Sequence, residues 1–130
     1  MHYLAIMAGG AAGVGARMFL SEWSAARFGE ILPWGTFLAN VFGCFLIGII
    51  SALTGPEGIL PAPTLVRQTL MIGVLGGFTT YSSFTLQTLN LFTEGQVLHA
   101  GLHVVMTLFL CLFATWLGLA LANLAGSWFS

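Results

Sequence analysis

Apolar positions in this chain fall in long runs, not in the two-residue alternation of half-buried strands. Polar or turn-forming interruptions lie at Glu30 to Pro33, at Thr54 to Pro63 (TGPEGILPAP) and at Thr93 to Gln96, dividing the sequence into four apolar segments. Each is long enough to cross roughly 30 Å of hydrocarbon at about 1.5 Å per helical residue. The pattern predicts one transmembrane domain over 1–130, with helices near 3–27, 34–53, 65–92 and 97–126. Pro33 suits the first turn of the second helix and Thr64 the N-cap of the third. Trp23, Trp34 and Trp128 fall near the expected interfaces.

The third run is longer than a span requires, because a continuous helix over 65–92 would reach roughly 42 Å. Gly76 and Gly77, followed by Thr79 and Thr80, mark a break near mid-membrane. Glycine has low helix propensity, and hydroxyls can partner the backbone groups that a break frees. Two readings follow. In one, the threonine hydroxyls satisfy a simple kink; in the other, freed carbonyls serve as hard oxygen ligands for a small monovalent cation, as in unwound transporter helices.

Composition sharpens the membrane assignment. The chain is 58% hydrophobic with a mean hydropathy of +0.97, and only 5% of its residues are charged, against roughly 25% in an average soluble protein. An all-α integral membrane protein with a lipid-facing outer surface is the consistent fold class. No basic run exists for nucleic acid to bind. The N-terminal segment lacks a positive leader and carries Arg17 in its middle, so a cleaved signal peptide is not expected. Cys44 and Cys111 lie within apolar runs and imply no disulfide framework.

Charge also bears on orientation. There is no lysine, and Arg27 and Arg67 flank loops on opposite sides of the membrane, so the positive-inside bias is close to nil. Insertion both ways permits an antiparallel, dual-topology homodimer, in which one surface patch meets its inverted copy. Gly9 with Gly13, and Gly73 with Gly77, form small-xxx-small pairs that let helices approach closely.

Polar side chains inside the spans form strips. Thr36, Asn40 and Cys44 recur every four residues on the second helix, and His103, Thr107, Cys111 and Thr115 do so on the fourth. On the third, Tyr81, Phe84 and Thr88 share one face while Thr80, Ser83, Gln87 and Asn90 lie on the other. Three strips on three helices suggest a shared path, although core packing and interhelical hydrogen bonds explain each one singly. Arg17, well inside a span, costs roughly 2.5–3.5 kcal/mol on insertion scales. It requires carbonyls, a carboxylate or a route to the interface, and it would attract anions toward a vestibule.

The motifs G-G-x-x-G-x-x-x-R (Gly9 to Arg17), G-T-x-x-x-N (Gly35 to Asn40) and G-G-F-T-T-Y-S-S-F (Gly76 to Phe84) cover most of the chain in order. In these the sequence resembles the Fluc, or CrcB, family of bacterial fluoride channels. The resemblance implies a dual-topology homodimer in the bacterial cytoplasmic (inner) membrane, passing fluoride passively and electrogenically and so protecting the cell from it. It implies two fluoride pores and a structural sodium ion at the dimer centre, held by the backbone carbonyls of Gly76 and Thr79. Tyr81 and Phe84 would occupy the aromatic pore positions, Asn40 would donate to fluoride, and Thr36, Ser83, His103, Thr107 and Cys111 would line the path. The chain departs from the family pattern at Tyr81, commonly phenylalanine, at Cys111, often a small polar residue, and at His103, often tyrosine or asparagine.

Two other classes stand beside this one. A dual-topology exporter of small cations calls for a mid-membrane carboxylate, and the spans contain none near their centres. A haem-bearing membrane anchor needs axial histidines facing one another, whereas His99 and His103 share a helix and His2 is terminal.

Overall fold

The computed structural model describes residues 2–29 and 32–129. Glu30 and Ile31, part of the first predicted interruption, lie outside them. All regular structure among the described residues is helical: α1 (His2–Phe28), α2 (Trp34–Thr54), α3 (Thr64–Gln68), a π-helical stretch (Thr69–Leu75), α4 (Gly76–Phe78), α5 (Tyr81–Thr93) and α6 (Val97–Phe129). α3, the π-helical stretch, α4 and α5 together make up the third apolar segment. α1, α2 and α6 are each long and apolar enough to cross a membrane.

Helix ends follow local chemistry. α1 closes on Gly29 at φ 85°, whose amide reaches the Ala25 carbonyl at 3.0 Å. α5 closes on Gly95 at φ 83°, with the Gln96 amide bonded back to Leu91 at 2.9 Å. Both are left-handed positions where a side chain would clash with its own backbone. Thr64 is already helical and Pro63 takes the cap position without a side-chain bond, so the expected threonine cap is not formed. Pro33 likewise precedes the helix as its cap residue, and its carbonyl accepts from Phe37 at 3.1 Å.

Packing is the reverse of a soluble protein's. The buried apolar residues are mostly small (Ala39, Ala100, Ala114, Ala122), while Phe19, Leu98, Phe109 and Trp116 face outward. Lipid tails are as apolar as leucine, so large side chains gain nothing from being inside, and helices associate through close backbone contact. The chain is thus a multi-pass membrane protein. α1 lies against the third segment with no room to spare: a Cβ at Gly77 would stand 2.6 Å from the Gly10 carbonyl oxygen, and one at Gly73 would stand 2.7 Å from that of Ile6.

α2 and α6 form the other tight pair and run in the same direction. Trp34 and Phe37 at the start of α2 share a cavity with Leu102 and His103, and Ala52 near its end shares one with Ala122 and Asn123. Cβ atoms at Gly48 and Gly118 would each come within 3.0 Å of a backbone nitrogen across the interface. Gly118→Leu is expected to destabilise the fold by about 1–3 kcal/mol or more through overpacking. Gly15→Ala, in open space, should instead be neutral or gain up to about 1 kcal/mol of helix propensity. Thermal unfolding of the detergent-solubilised protein separates the two.

Candidate functional site

The third segment leaves helical geometry at two residues. Thr79 (φ −88°, ψ 160°) and Thr80 (φ −153°, ψ 120°) are extended, whereas Gly76 keeps helical angles (φ −63°, ψ −37°). Of the four residues that mark the expected break, the interruption falls on Thr79 and Thr80, while the glycine pair stays helical. The reason is tertiary. Asn40, 8% exposed on α2, grips the peptide groups of Thr80: its Oδ1 accepts the Thr80 amide at 2.7 Å and its Nδ2 donates to the Thr80 carbonyl at 3.0 Å.

That clamp redirects the local hydrogen bonding. In a continuous helix the Thr80 amide would serve the Gly76 carbonyl, and the Ser83 amide would serve Thr79. Here Asn40 takes the first, and the Thr80 hydroxyl, as N-cap of α5, accepts the second at 3.2 Å. The Gly76 and Thr79 carbonyls both lose their helical donors. Thr79 itself stays tied to the preceding turn, with its amide at 2.9 Å and its hydroxyl at 3.0 Å from the Leu75 carbonyl. A Cβ at Gly43 would overlap the Thr79 methyl, so α2 is cut away where the break passes it.

Arg17 meets a carbonyl as well. Its Nε donates to Gly77 at 3.1 Å, which ties α1 to the helical turn just ahead of the break. The guanidinium keeps further N–H groups for an anion or water.

Beside the break lies a cavity of about 530 Å³, lined among others by Asn40, Cys44, Gly76, Thr79, Thr80, Tyr81, Phe84, Thr107 and Cys111. Its polar character is that of donors. Asn40 has one amide hydrogen beyond the one given to Thr80. The first-turn amide of Tyr81, which lines the cavity, has no intrahelical acceptor, and the start of α5 carries the partial positive charge of the helix dipole. The Thr107 hydroxyl is buried with no hydrogen-bond partner among the described groups. Tyr81 and Phe84 stand 5.8 Å apart between ring centroids, tilted 52°, and the Phe84 ring is 5.0 Å from that of His103. Aromatic edges carry positive potential, so rings presented edge-on suit an anion.

The structure thus brings together Asn40, Tyr81, Phe84, Thr107 and Cys111, with the Gly76 and Thr79 positions on the same wall. Three expected lining residues lie elsewhere. Thr36 opens on a separate cavity of about 310 Å³ with Gln87 and Asn90. His103 opens on an apolar one of about 200 Å³ beside Trp34 and Phe37. Ser83 contributes its backbone amide to the α5 cap. These departures have a geometric cause: positions four apart on a helix differ by about 40° in direction, so a strip wanders off its face within two steps. Tyr81 lines the cavity yet is 78% exposed in the isolated chain.

Residues 4–119 match the family model described as CrcB-like protein, Camphor Resistance (CrcB). The chain belongs to this family. A CrcB relative from Opitutus terrae is 52% identical over 116 residues, spanning 89% of this chain and 88% of its own. Relatives from Methylocella silvestris and Rhodospirillum rubrum are each 48% identical over 118 residues, covering 91% of this chain and 90% and 92% of theirs. All three carry the name fluoride-specific ion channel FluC.

Within this CrcB chain, sequence reasoning missed the Thr80 backbone as the target of Asn40 and Gly43 as the recess for Thr79. A mid-span asparagine level with a helix break was the available signal: a buried amide needs both a donor and an acceptor, and one exposed peptide supplies them.

Proposed function

We infer that the protein is a fluoride-selective ion channel, not an enzyme, giving passive, electrogenic export of fluoride across the bacterial inner membrane. The Asn40–Thr80 clamp carries this reading. It starts α5 beside the cavity with first-turn amides that have no helical acceptor, and it leaves the Gly76 and Thr79 carbonyls among those without their helical donors. The names of the CrcB relatives point the same way.

Fluoride is small and holds its water tightly, so a selective path must offer donors in place of the lost shell. The spare Asn40 amide hydrogen, the first-turn amides of α5, the Thr107 hydroxyl and the edges of Tyr81 and Phe84 are such donors. Larger halides gain less from closely spaced hydrogen bonds and are hindered by the ring pair. Arg17 raises the local anion concentration on the α1 side of the break.

The carbonyls of Gly76 and Thr79 fit a small hard cation. One chain offers two of them, and an antiparallel homodimer that brings two breaks to its two-fold axis offers four. Bound there, sodium would supply a fixed positive charge that makes the interior less hostile to an anion. The outward-facing apolar residues of the isolated chain supply surface both for the second copy and for lipid. The alternative, a dual-topology small-cation exporter, finds less support in spans that hold no carboxylate near their centres.

Liposomes containing the purified protein and loaded with potassium fluoride test this. Valinomycin should trigger rapid fluoride loss, with no loss from potassium chloride liposomes. Replacing all sodium by N-methylglucamine should abolish the fluoride signal. Equal release of both halides would remove the selectivity claim, and full activity without sodium would remove the cation site.

A further inference from the structure

Two of the side chains that border the cavity are thiols. Cys44 on α2 and Cys111 on α6 both line it, and neither is in a disulfide. Register puts them there. α2 and α6 run in parallel with polar residues at four-residue steps, so Asn40 stands level with Thr107, and one turn on Cys44 stands level with Cys111. The spacing is pinned on the next turn, where the Thr115 hydroxyl donates to the Cys44 carbonyl at 3.1 Å and Gly48 allows the backbones to touch.

A thiol is a poor partner for fluoride, since S–H is a weak donor. Paired thiols are good ligands for a soft cation, which binds thiolate sulfur in preference to oxygen or nitrogen. Two sulfurs on facing helices suit an ion that accepts two-coordinate, linear ligation. Apolar residues, Phe84, Leu108 and Leu112 among them, make up much of the remaining lining.

We propose that Cys44 and Cys111 together bind one soft thiophilic cation of the Hg²⁺ class per chain, and that the bound ion closes the cavity to anions. With HgCl₂, two S–H and two mercury–chloride bonds break, two sulfur–mercury bonds form, and two protons and two chlorides pass to water; no electrons are transferred, so no oxidant is needed. Closure rests on the channel reading above, whereas binding does not.

The test uses HgCl₂ on the purified wild-type protein, Cys44→Ser and Cys111→Ser. Wild type should retain one mercury per chain after gel filtration, with the ultraviolet absorption of a mercury dithiolate. Each single variant should lose retention against a competing free monothiol by on the order of 10²-fold, because the second thiol no longer acts intramolecularly. Two mercury ions per wild-type chain, or single variants that hold the metal as tightly, would overturn the site. In liposomes, mercury should stop wild-type fluoride efflux until a dithiol is added, while each variant keeps its own metal-free rate. Dithiolate formation with unchanged efflux would overturn closure. Absence of fluoride efflux before any mercury is added would instead count against the channel reading, and the stoichiometry would still decide the site. If a serine variant fails to elute as a single species, Cys44→Ala and Cys111→Ala repeat the comparison.

Discussion

Asn40→Ala is expected to lower fluoride flux by roughly 10- to 100-fold. A hydrogen bond to a charged partner contributes about 1.5–3 kcal/mol, and each 1.36 kcal/mol on a barrier is about tenfold in rate. The same change leaves the Thr80 amide and carbonyl without the partners they now meet at 2.7 and 3.0 Å. Unsatisfied buried groups cost about 1–3 kcal/mol each, so thermal stability should fall too, less steeply if the Thr80 amide turns back to Gly76. That return would extend the helix across the break and withdraw one of the carbonyls proposed to hold sodium, making residual flux insensitive to sodium. Flux and melting temperature of the reconstituted variant, each with sodium and with N-methylglucamine, form the test. Wild-type flux in Asn40→Ala would show that the clamp has no part in conduction.

Phe84→Ile separates conduction from folding. Isoleucine preserves apolar bulk, and such swaps usually cost under about 1.5 kcal/mol. What disappears is the aromatic edge between Tyr81 and His103, whose ring centroids stand 5.8 and 5.0 Å from that of Phe84. Flux should fall at least about tenfold, as expected when a stabilising contact of roughly 1.4 kcal/mol or more is lost at the barrier. The variant should still elute and melt like the parent. Undiminished flux would reduce the ring to a packing element. Tyr81→Phe, at an exposed position of the isolated chain, keeps the ring and should retain most of the flux.

The spans were legible in the sequence because hydrocarbon imposes a length that few other environments require, and three helices meet it directly. Close glycine contacts were legible as well. The Gly9–Gly13 and Gly73–Gly77 pairs do lie where α1 meets the third segment, since spacing of four repeats nearly one face. The position of the break was legible only to within the four residues Gly76, Gly77, Thr79 and Thr80. Propensity pointed to Gly76 and Gly77, yet a hydrogen-bonding side chain forty residues away decides which peptide leaves the helix. Local preference is worth about 1 kcal/mol per glycine, less than a buried two-point clamp.

The candidate site was half legible for a related reason. Asn40, Thr107 and Cys111 could be placed on polar strips, and two of the strips converge at their level. Thr36 and His103, one turn away on the same strips, turn toward other cavities. Helix rotation and crossing decide which member of a strip faces the path, and neither is written in residue spacing. Ser83 was chosen for its hydroxyl, but its amide does the observed work.

Reversal potential is the most direct measure of the central claim, that donors gathered around a clamped helix break pass fluoride passively. Planar bilayers holding the protein between opposed fluoride and chloride gradients should show current that reverses at the fluoride equilibrium potential and is unmoved by a superimposed proton gradient. Reversal near the chloride value, or a shift that follows the proton gradient, would contradict it.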